Sequence, residues 1–503
     1  MIAAIQLPPF PPTHDLVKLL PELILSGAFV LLLLLDLVVP AVRRALLAVF
    51  SAASLVGTMV SIVFAWFDAG ERGSLAYYGT FAYDRFSLFI DGIVVLSALL
   101  VVLISPAYLN RRGLHYGEYY SLILAATVGM MLLSGAMNLM VIFLGIELLS
   151  ISLYVLSGFA LTQPRSQEAG LKYLLLGGFA SGFLLYGMAL VYGETGHTQL
   201  TQIAQSLTAE GSTTDSLFLV GVGLIFVGFA FKISAAPFHF WTPDVYQGAP
   251  TSVTAFMSVA TKVAAFAALI RVFNATFQGS FNKWGALVVF VSIISMAVGN
   301  LFALAQTSVK RMLAYSGIAQ AGYILIGVAV ESRDATIGSL YYLAVYAAMN
   351  LGAFAVITIM AGRGEDIDAY DSLRGLFYRR PYIAGAMALF LLSLGGFPPT
   401  AGFIAKFLVF RAAIDAGQVP LALWGIATSV ISVFYYLRVG LIMFTRPRDG
   451  EVAYPWARTT VAGGTVMLVT SAATLAFGAV SVGFLYDVAS MAQGGALPGL
   501  PHA

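Results

Sequence analysis

The sequence predicts an all-α integral membrane protein of about fourteen transmembrane helices, and three observations carry that expectation. Of its 503 residues, 59% are hydrophobic and only 10% are charged, against about 25% charged in an ordinary soluble domain. Mean hydropathy is +0.89. Apolar runs recur from about Asp15 to the C-terminus at the length of a bilayer crossing, roughly 20 residues for a helix. A helix satisfies its own backbone polar groups in lipid, whereas a membrane barrel would show alternating stretches of about ten residues, and the sequence has none.

Read between charge and Pro/Gly punctuation, the runs place helices near residues 16–39, 42–66, 84–108, 117–134, 137–160, 167–192, 215–240, 250–274, 283–303, 308–330, 336–361, 382–411, 419–445 and 460–487. The N-terminal MIAAIQLPPFPPTHD lacks a positive flank, and the first run is longer than a signal core, so the first span is expected to be retained. Loops after odd-numbered spans hold Arg43, Arg44, Arg111, Arg112, Arg165, Lys310, Arg311, Arg363, Arg374, Arg379, Arg380, Arg446, Arg448 and Arg458. The other side holds Lys18, Arg72, Arg271, Lys283 and Arg333, with Arg85 opening the third span. By the positive-inside rule the first group faces the cytoplasm, and both termini lie on the outer, periplasmic side of the plasma membrane.

Function classes fall away quickly. There is no cysteine, which excludes cysteine-ligated iron–sulfur clusters, disulfides and thiol chemistry in this chain. The net charge is only +2, with no phosphate-binding glycine loop, no HExxH and no basic stripe, so nucleic acid and nucleotides are not expected ligands.

Five charges sit inside spans: Glu147 in FLGIELLSISLYVLSGF, Lys172 in EAGLKYLLLGGFASGFLLYG, Lys232 in FAFKISAAPFHFW, Lys262 in SVATKVAAFAAL and Lys406 in GGFPPTAGFIAKFLVF. Each mid-span charge costs about 2.5 to 3.5 kcal/mol on an insertion scale and needs a partner or water. Lys172 stands near its helix start, where snorkelling to the surface competes with a buried role. A static ion pair that fixes packing competes for Glu147.

Pro237 supplies no N–H to the carbonyl of Ile233, and Pro398 and Pro399 free those of Leu394 and Gly395, so spans seven and twelve should each break near a lysine. Broken helices five spans apart suggest inverted units, spans four to eight and nine to thirteen. The chain then divides into residues 1–116 with three spans, 117–274, 283–445, and 460–503 with the last span. His239 reads equally as an interfacial aromatic-belt residue or as a proton-uptake group. Ser234, Ser258, Thr261 and Thr400 read as helix-packing residues or as hydroxyl relays, and Asp36, Asp91 and Arg438 suggest no chemistry.

The segments LGIELLSISLYVL, LKYLLLGGFASGFLLYG, PFHFWTPDVYQGAPTSVTAF, KRMLAYSGIAQAGY and GGFPPTAGFIAKF run in order along most of the chain. Together they resemble subunit N of bacterial NADH:quinone oxidoreductase, respiratory complex I, and its photosynthetic relative. The resemblance implies a fourteen-helix antiporter-like subunit with two inverted five-helix units and discontinuous helices seven and twelve. It also implies a proton route through a pair, Glu147 with Lys172, to a central Lys232, a connecting Lys262 and a distal Lys406. Where many members carry a histidine this sequence has Gln320, which cannot titrate. NADH, FMN, iron–sulfur clusters and quinone are implied for partner subunits and no cofactor for this chain. Its implied partners are other membrane-arm subunits, including neighbouring antiporter-like ones and a lateral helix. Alternatives that share the same physics are a subunit of a multisubunit cation/proton antiporter or of a membrane-bound hydrogenase. An inert scaffold would leave five buried charges without a use, and a solute transporter would need a substrate-sized polar cluster beyond the lysine line, which the sequence does not show.

Overall fold

In the computed structural model the described residues are 13–40, 44–208, 216–330, 332–362, 368–447 and 456–494; Arg43, Arg363 and Arg448 of the basic loops lie outside them. The crossing helices are, in order, α1 (Leu20–Val38), α2 (Ala45–Asp68), α3 (Arg85–Arg112), α4 (Gly117–Gly135), α5 (Leu139–Ser157) and α6 (Pro164–Thr195). Next come a broken crossing of α7 (Ser216–Lys232) and α8 (Trp241–Gly248), then α9 (Thr251–Ile270), α10 (Phe281–Leu304), α11 (Val309–Ala329) and α12 (Arg333–Met360). A second broken crossing of α13 (Pro381–Gly395) and α14 (Ala401–Asp415) leads to α15 (Val419–Phe444) and α16 (Val461–Leu475). Twelve helices among the described residues are long and apolar enough to span a membrane, and the two broken crossings complete the expected fourteen.

Helix ends follow local chemistry. Asp84 caps α3 by accepting from the Ser87 amide at 2.7 Å, and Gly113 closes it with a left-handed φ of 67°, a conformation that costs glycine nothing. A short hairpin, β1 (Ser74–Ala76) with β2 (Phe81–Tyr83), fills the loop before α3, an element the apolar pattern did not announce. Alternating crossings gather Arg44, Arg111, Arg112, Arg165 and Arg311 at one face of the bundle, termed the basic face below. Glu22, Asp84 and Arg271 gather at the other.

Two five-crossing units are visible in the backbone register. The Leu139 amide donates to Thr198 O and the Leu200 amide to Met137 O, both at 2.9 Å. The Val309 amide donates to Asp368 O at 2.7 Å, and the Tyr370 amide to Thr307 O at 3.0 Å. One constant displacement along the chain carries the first set onto the second. The same displacement carries Gly129 to Gly299 and Leu149 to Ala319. A Cβ on Gly129 would stand 2.7 Å from the Leu149 nitrogen, and one on Gly299 would stand 2.4 Å from the Ala319 nitrogen, so α4 crosses α5 and α10 crosses α11 with backbones in contact. Five crossings are an odd number, so the second unit is inverted relative to the first.

Both breaks form where proline removes a donor. α7 stops at Lys232, before Pro237, because Ser234 takes a left-handed φ of 63° and turns the chain aside; α8 then runs beyond the expected limit at residue 240. In the second break, the freed Leu394 carbonyl accepts from Gln320 Nε2 at 3.1 Å and the freed Gly395 carbonyl accepts from Lys406 Nζ at 3.1 Å. Exposed carbonyls at depth are thus satisfied by side chains rather than by lipid. Every residue of α9 is buried, which puts Lys262 on the central helix of the molecule.

Candidate functional site

Lys232 is the last residue of α7, and its ammonium donates to Ser150 Oγ at 2.6 Å and to Tyr154 Oη at 3.4 Å. It stands 5.5 Å from the ring centroids of Tyr154 and Phe231 and 5.8 Å from that of Tyr173, within the range of cation–π attraction. Tyr173 stacks on Trp241 of α8 at 4.4 Å, so the second half of the broken crossing supplies a wall of this chamber. Gly177 makes the room: its Cβ would lie 2.1 Å from Tyr154 Oη.

Glu147, Ser150 and Tyr154 fall at i, i+3 and i+7 of α5 and therefore on one stripe. Glu147 is half-buried, accepts from Ser181 Oγ, and interacts electrostatically with Lys232. A carboxylate and an ammonium are thereby joined through hydroxyls rather than by direct contact.

Lys262 Nζ donates to the Gly317 carbonyl of α11 at 2.5 Å and lies 5.8 Å from the Tyr346 ring. Asn350 donates to Ser258 Oγ at 2.9 Å and Tyr346 Oη to Ser258 O at 3.2 Å. Beyond them Gln320 accepts from Tyr342 Oη and donates to Tyr436 Oη at 3.3 Å, and Tyr436 meets Ser316 Oγ at 2.5 Å. Lys406 completes the line, bonded to Gly395 O and, at 2.8 Å, to Ser429 Oγ, with its ammonium 4.9 Å from the Tyr323 ring. Lys232, Lys262 and Lys406 are all buried, and among the described residues none of the three has a carboxylate in ion-pair contact.

Lys172 is placed differently from its expected pairing. Its ammonium meets Glu168 and Asp244 at 2.6 Å each, and its side chain is 40% exposed, so it stands at the basic face rather than against Glu147. Asp244 also receives Arg311 Nη1 at 2.7 Å. Burial is what the sequence could not give here: α8 turns Asp244 toward the third turn of α6, where Lys172 is already close to water. His239 is buried, stacked on Phe240 at 4.8 Å, with Nδ1 unpartnered among the described residues. Of the hydroxyls, Thr261 is buried and, among the described residues, has no hydrogen-bond partner, Ser234 is buried beside Tyr246, and Ser258 and Thr400 bond backbone carbonyls at 3.1 and 2.6 Å.

Sequence reasoning missed Ser150, Tyr154, Ser181, Asp244, Tyr342 and Tyr436 as site residues. A signal existed for two of them, since Ser150 and Tyr154 share the helical stripe of Glu147. Gly317 is a further residue the sequence did not single out: a Cβ there would lie 2.8 Å from Lys262 Nζ and 3.2 Å from Tyr346 Oη. Gly317→Ala should therefore fold and assemble, because the clashing atoms end flexible side chains, yet push Lys262 off its carbonyl. Assembly on a native gel should be unchanged in this variant; a loss of assembly would show that the glycine serves helix packing rather than the Lys262 contact alone.

Inverted units, two broken crossings and unpaired lysines between them define an antiporter-like subunit of a membrane complex. A family model described as NADH:quinone oxidoreductase/Mrp antiporter, TM, matches residues 136–432. This chain belongs to the NADH-quinone oxidoreductase subunit N family. It is 45% identical over 463 residues to the protein of that name from Trichlorobacter lovleyi, an alignment covering 92% of this chain and 94% of the relative. A chain of respiratory complex I from Thermus thermophilus superposes with a TM-score of 0.78 at 34% identity, covering 93% of this chain and 98% of that one. A chain of the Mrp complex from Dietzia gives a TM-score of 0.81 at 23% identity, covering 96% and 97%, a likeness of fold.

Proposed function

We propose that the chain carries protons across the membrane through Lys232, Lys262 and Lys406, as a non-redox subunit driven by electron transfer in neighbouring subunits. The observation that supports this reading is that, among the described residues, the three ammonium groups bond to neutral oxygens only. Each can exist in either protonation state without stranding a counter-charge, so movement of one nearby charge decides which state it takes. Glu147 is that charge: when its carboxylate swings along the Ser181, Tyr154 and Ser150 hydroxyls toward Lys232 it favours the ammonium, and when it withdraws it favours release. Driving one charge against 100 mV takes about 2.3 kcal/mol, and an ion pair made or broken at low dielectric supplies that much.

Under this reading the basic face is cytoplasmic and both termini are periplasmic. Lys172, Asp244 and His239 stand at the uptake side, and Ser234 and Thr261 bond waters along the way. Redox groups reside in partner subunits, and a lateral helix from a neighbour lies against the lipid-facing side. Glu147→Gln, nearly isosteric, should assemble normally and lower proton translocation by the intact complex in liposomes. Full pumping by that variant would remove Glu147 as the switch.

A further inference from the structure

At the face opposite the arginines the bundle buries more negative than positive charge. Glu22 of α1, Asp84 at the start of α3, Asp91 two turns further along α3, and Arg271, just beyond α9, are all buried. Arg271 is committed to Asp84: Nη2 lies 2.9 Å from Oδ2 and 3.0 Å from Oδ1, while Nε donates to Ser134 O at 3.0 Å. Ser134 Oγ in turn donates to Asp91 Oδ1 at 2.6 Å. Asp91 Oδ2 and Glu22 Oε2 are buried and have no hydrogen-bond partner among the described residues.

The neighbouring charged groups do not balance them. Asp15 and Lys18 stand 3.7 Å apart at the rim, and Asp68 accepts from Tyr83 Oη at 3.1 Å. Arg85 turns to the Trp66 ring at 5.7 Å. Tyr77 and Tyr83 of the hairpin face Glu22 as neutral phenols, and Asp487, on the helix Val482–Gly494 that packs on α3, is exposed. Three buried carboxyls around one buried guanidinium leave two negative charges without a buried counter-ion. A carboxyl so placed keeps a proton rather than remain a bare ion.

We propose that Glu22 and Asp91 form a proton-holding site at this face, on an exit branch that leaves the lysine line at Lys262. This rests on the translocation reading above for the direction of travel. Arg271 and Lys262 belong to one continuous helical segment, nine residues and about 13 Å apart. A positive charge arriving on Lys262 favours release of a proton from the carboxyls gathered around Arg271. The proton on Glu22 or Asp91 leaves as hydronium to external water, and the carboxylate left behind is re-protonated from the lysine side; no other bond changes.

The test uses the whole complex in liposomes, wild type beside Asp91→Asn and Glu22→Gln. Each amide should delete a protonated-carboxyl band from the infrared spectrum and reduce proton yield per NADH at least twofold. A band that persists in both, or an unchanged yield in both, overturns the proposal. Should an amide variant fail to assemble, Asp91→Glu is expected to shift the band, and an unshifted band overturns it equally. Lys232→Met measured alongside separates the two readings: its yield reports on the lysine line, while its carboxyl band should remain.

Discussion

Replacing Lys232 with methionine is expected to cut the proton flux through this chain by roughly 100-fold, since passing a charge over an unassisted mid-membrane position costs about 3 kcal/mol. The size of the effect follows from position. Lys232 ends the helix at the break, and its ammonium is held by Ser150 and Tyr154 with three aromatic rings around it, so no other described cation can take over that chamber. Stability should barely change: methionine fills similar volume, and Ser150 Oγ already bonds the Ile146 carbonyl. The measurement is proton yield per NADH in liposomes, with NADH oxidation by a water-soluble acceptor as a control on the electron-transfer subunits. Reduced yield with normal assembly supports the route. Reduced assembly with normal yield per assembled complex would make Lys232 structural.

Replacing Arg271 with methionine is expected to be the most destabilising single change in the half of the bundle opposite the basic face. Asp84 and Arg271 are both 0% exposed, and removing one partner of such a pair costs about 3 to 5 kcal/mol because the other charge stays buried. Asp84 also caps α3, so its carboxylate cannot turn away without losing the Ser87 amide. Thermal scans of the detergent-solubilised complex should show earlier loss of this chain, and Asp84→Asn combined with Arg271→Met should recover part of it. Equal melting of the single variant and wild type would show that the pair contributes little.

Some of this was legible in the sequence and some could not be. Pro237, Pro398 and Pro399 announce missing backbone donors, and lysines beside them in apolar surroundings announce themselves, so both breaks and the lysine line could be read in advance. Partner choice could not. Lys172 meets Asp244 only because the chain leaves α7 at Ser234 and re-forms as α8, a redirection set by one left-handed residue. Arg271 reads as a loop cation by its place in the sequence, yet α9 continues through a wide turn, Arg271–Thr276, that carries it under the bundle surface. By sequence Gln320 could be read only as a group that cannot titrate. In the fold it bridges Tyr342, Tyr436 and the freed Leu394 carbonyl between Lys262 and Lys406.

The two inverted units are stitched to each other as well as to themselves. Lys262 reaches Gly317, Asn350 reaches Ser258, Lys310 reaches the Ala249 carbonyl at 2.9 Å, Arg311 reaches Asp244, and Gln247 reaches Asp368. These bonds run from the centre of the bundle to its basic face, and the glycine crossings within each unit leave no gap along which helices can slide. Transporters built from inverted repeats commonly rock one repeat against the other. Here such rocking would tear a seam of hydrogen bonds at every cycle. On the proposed route the fold would act instead as a stator, its walls tied together by these bonds while side chains alone change places.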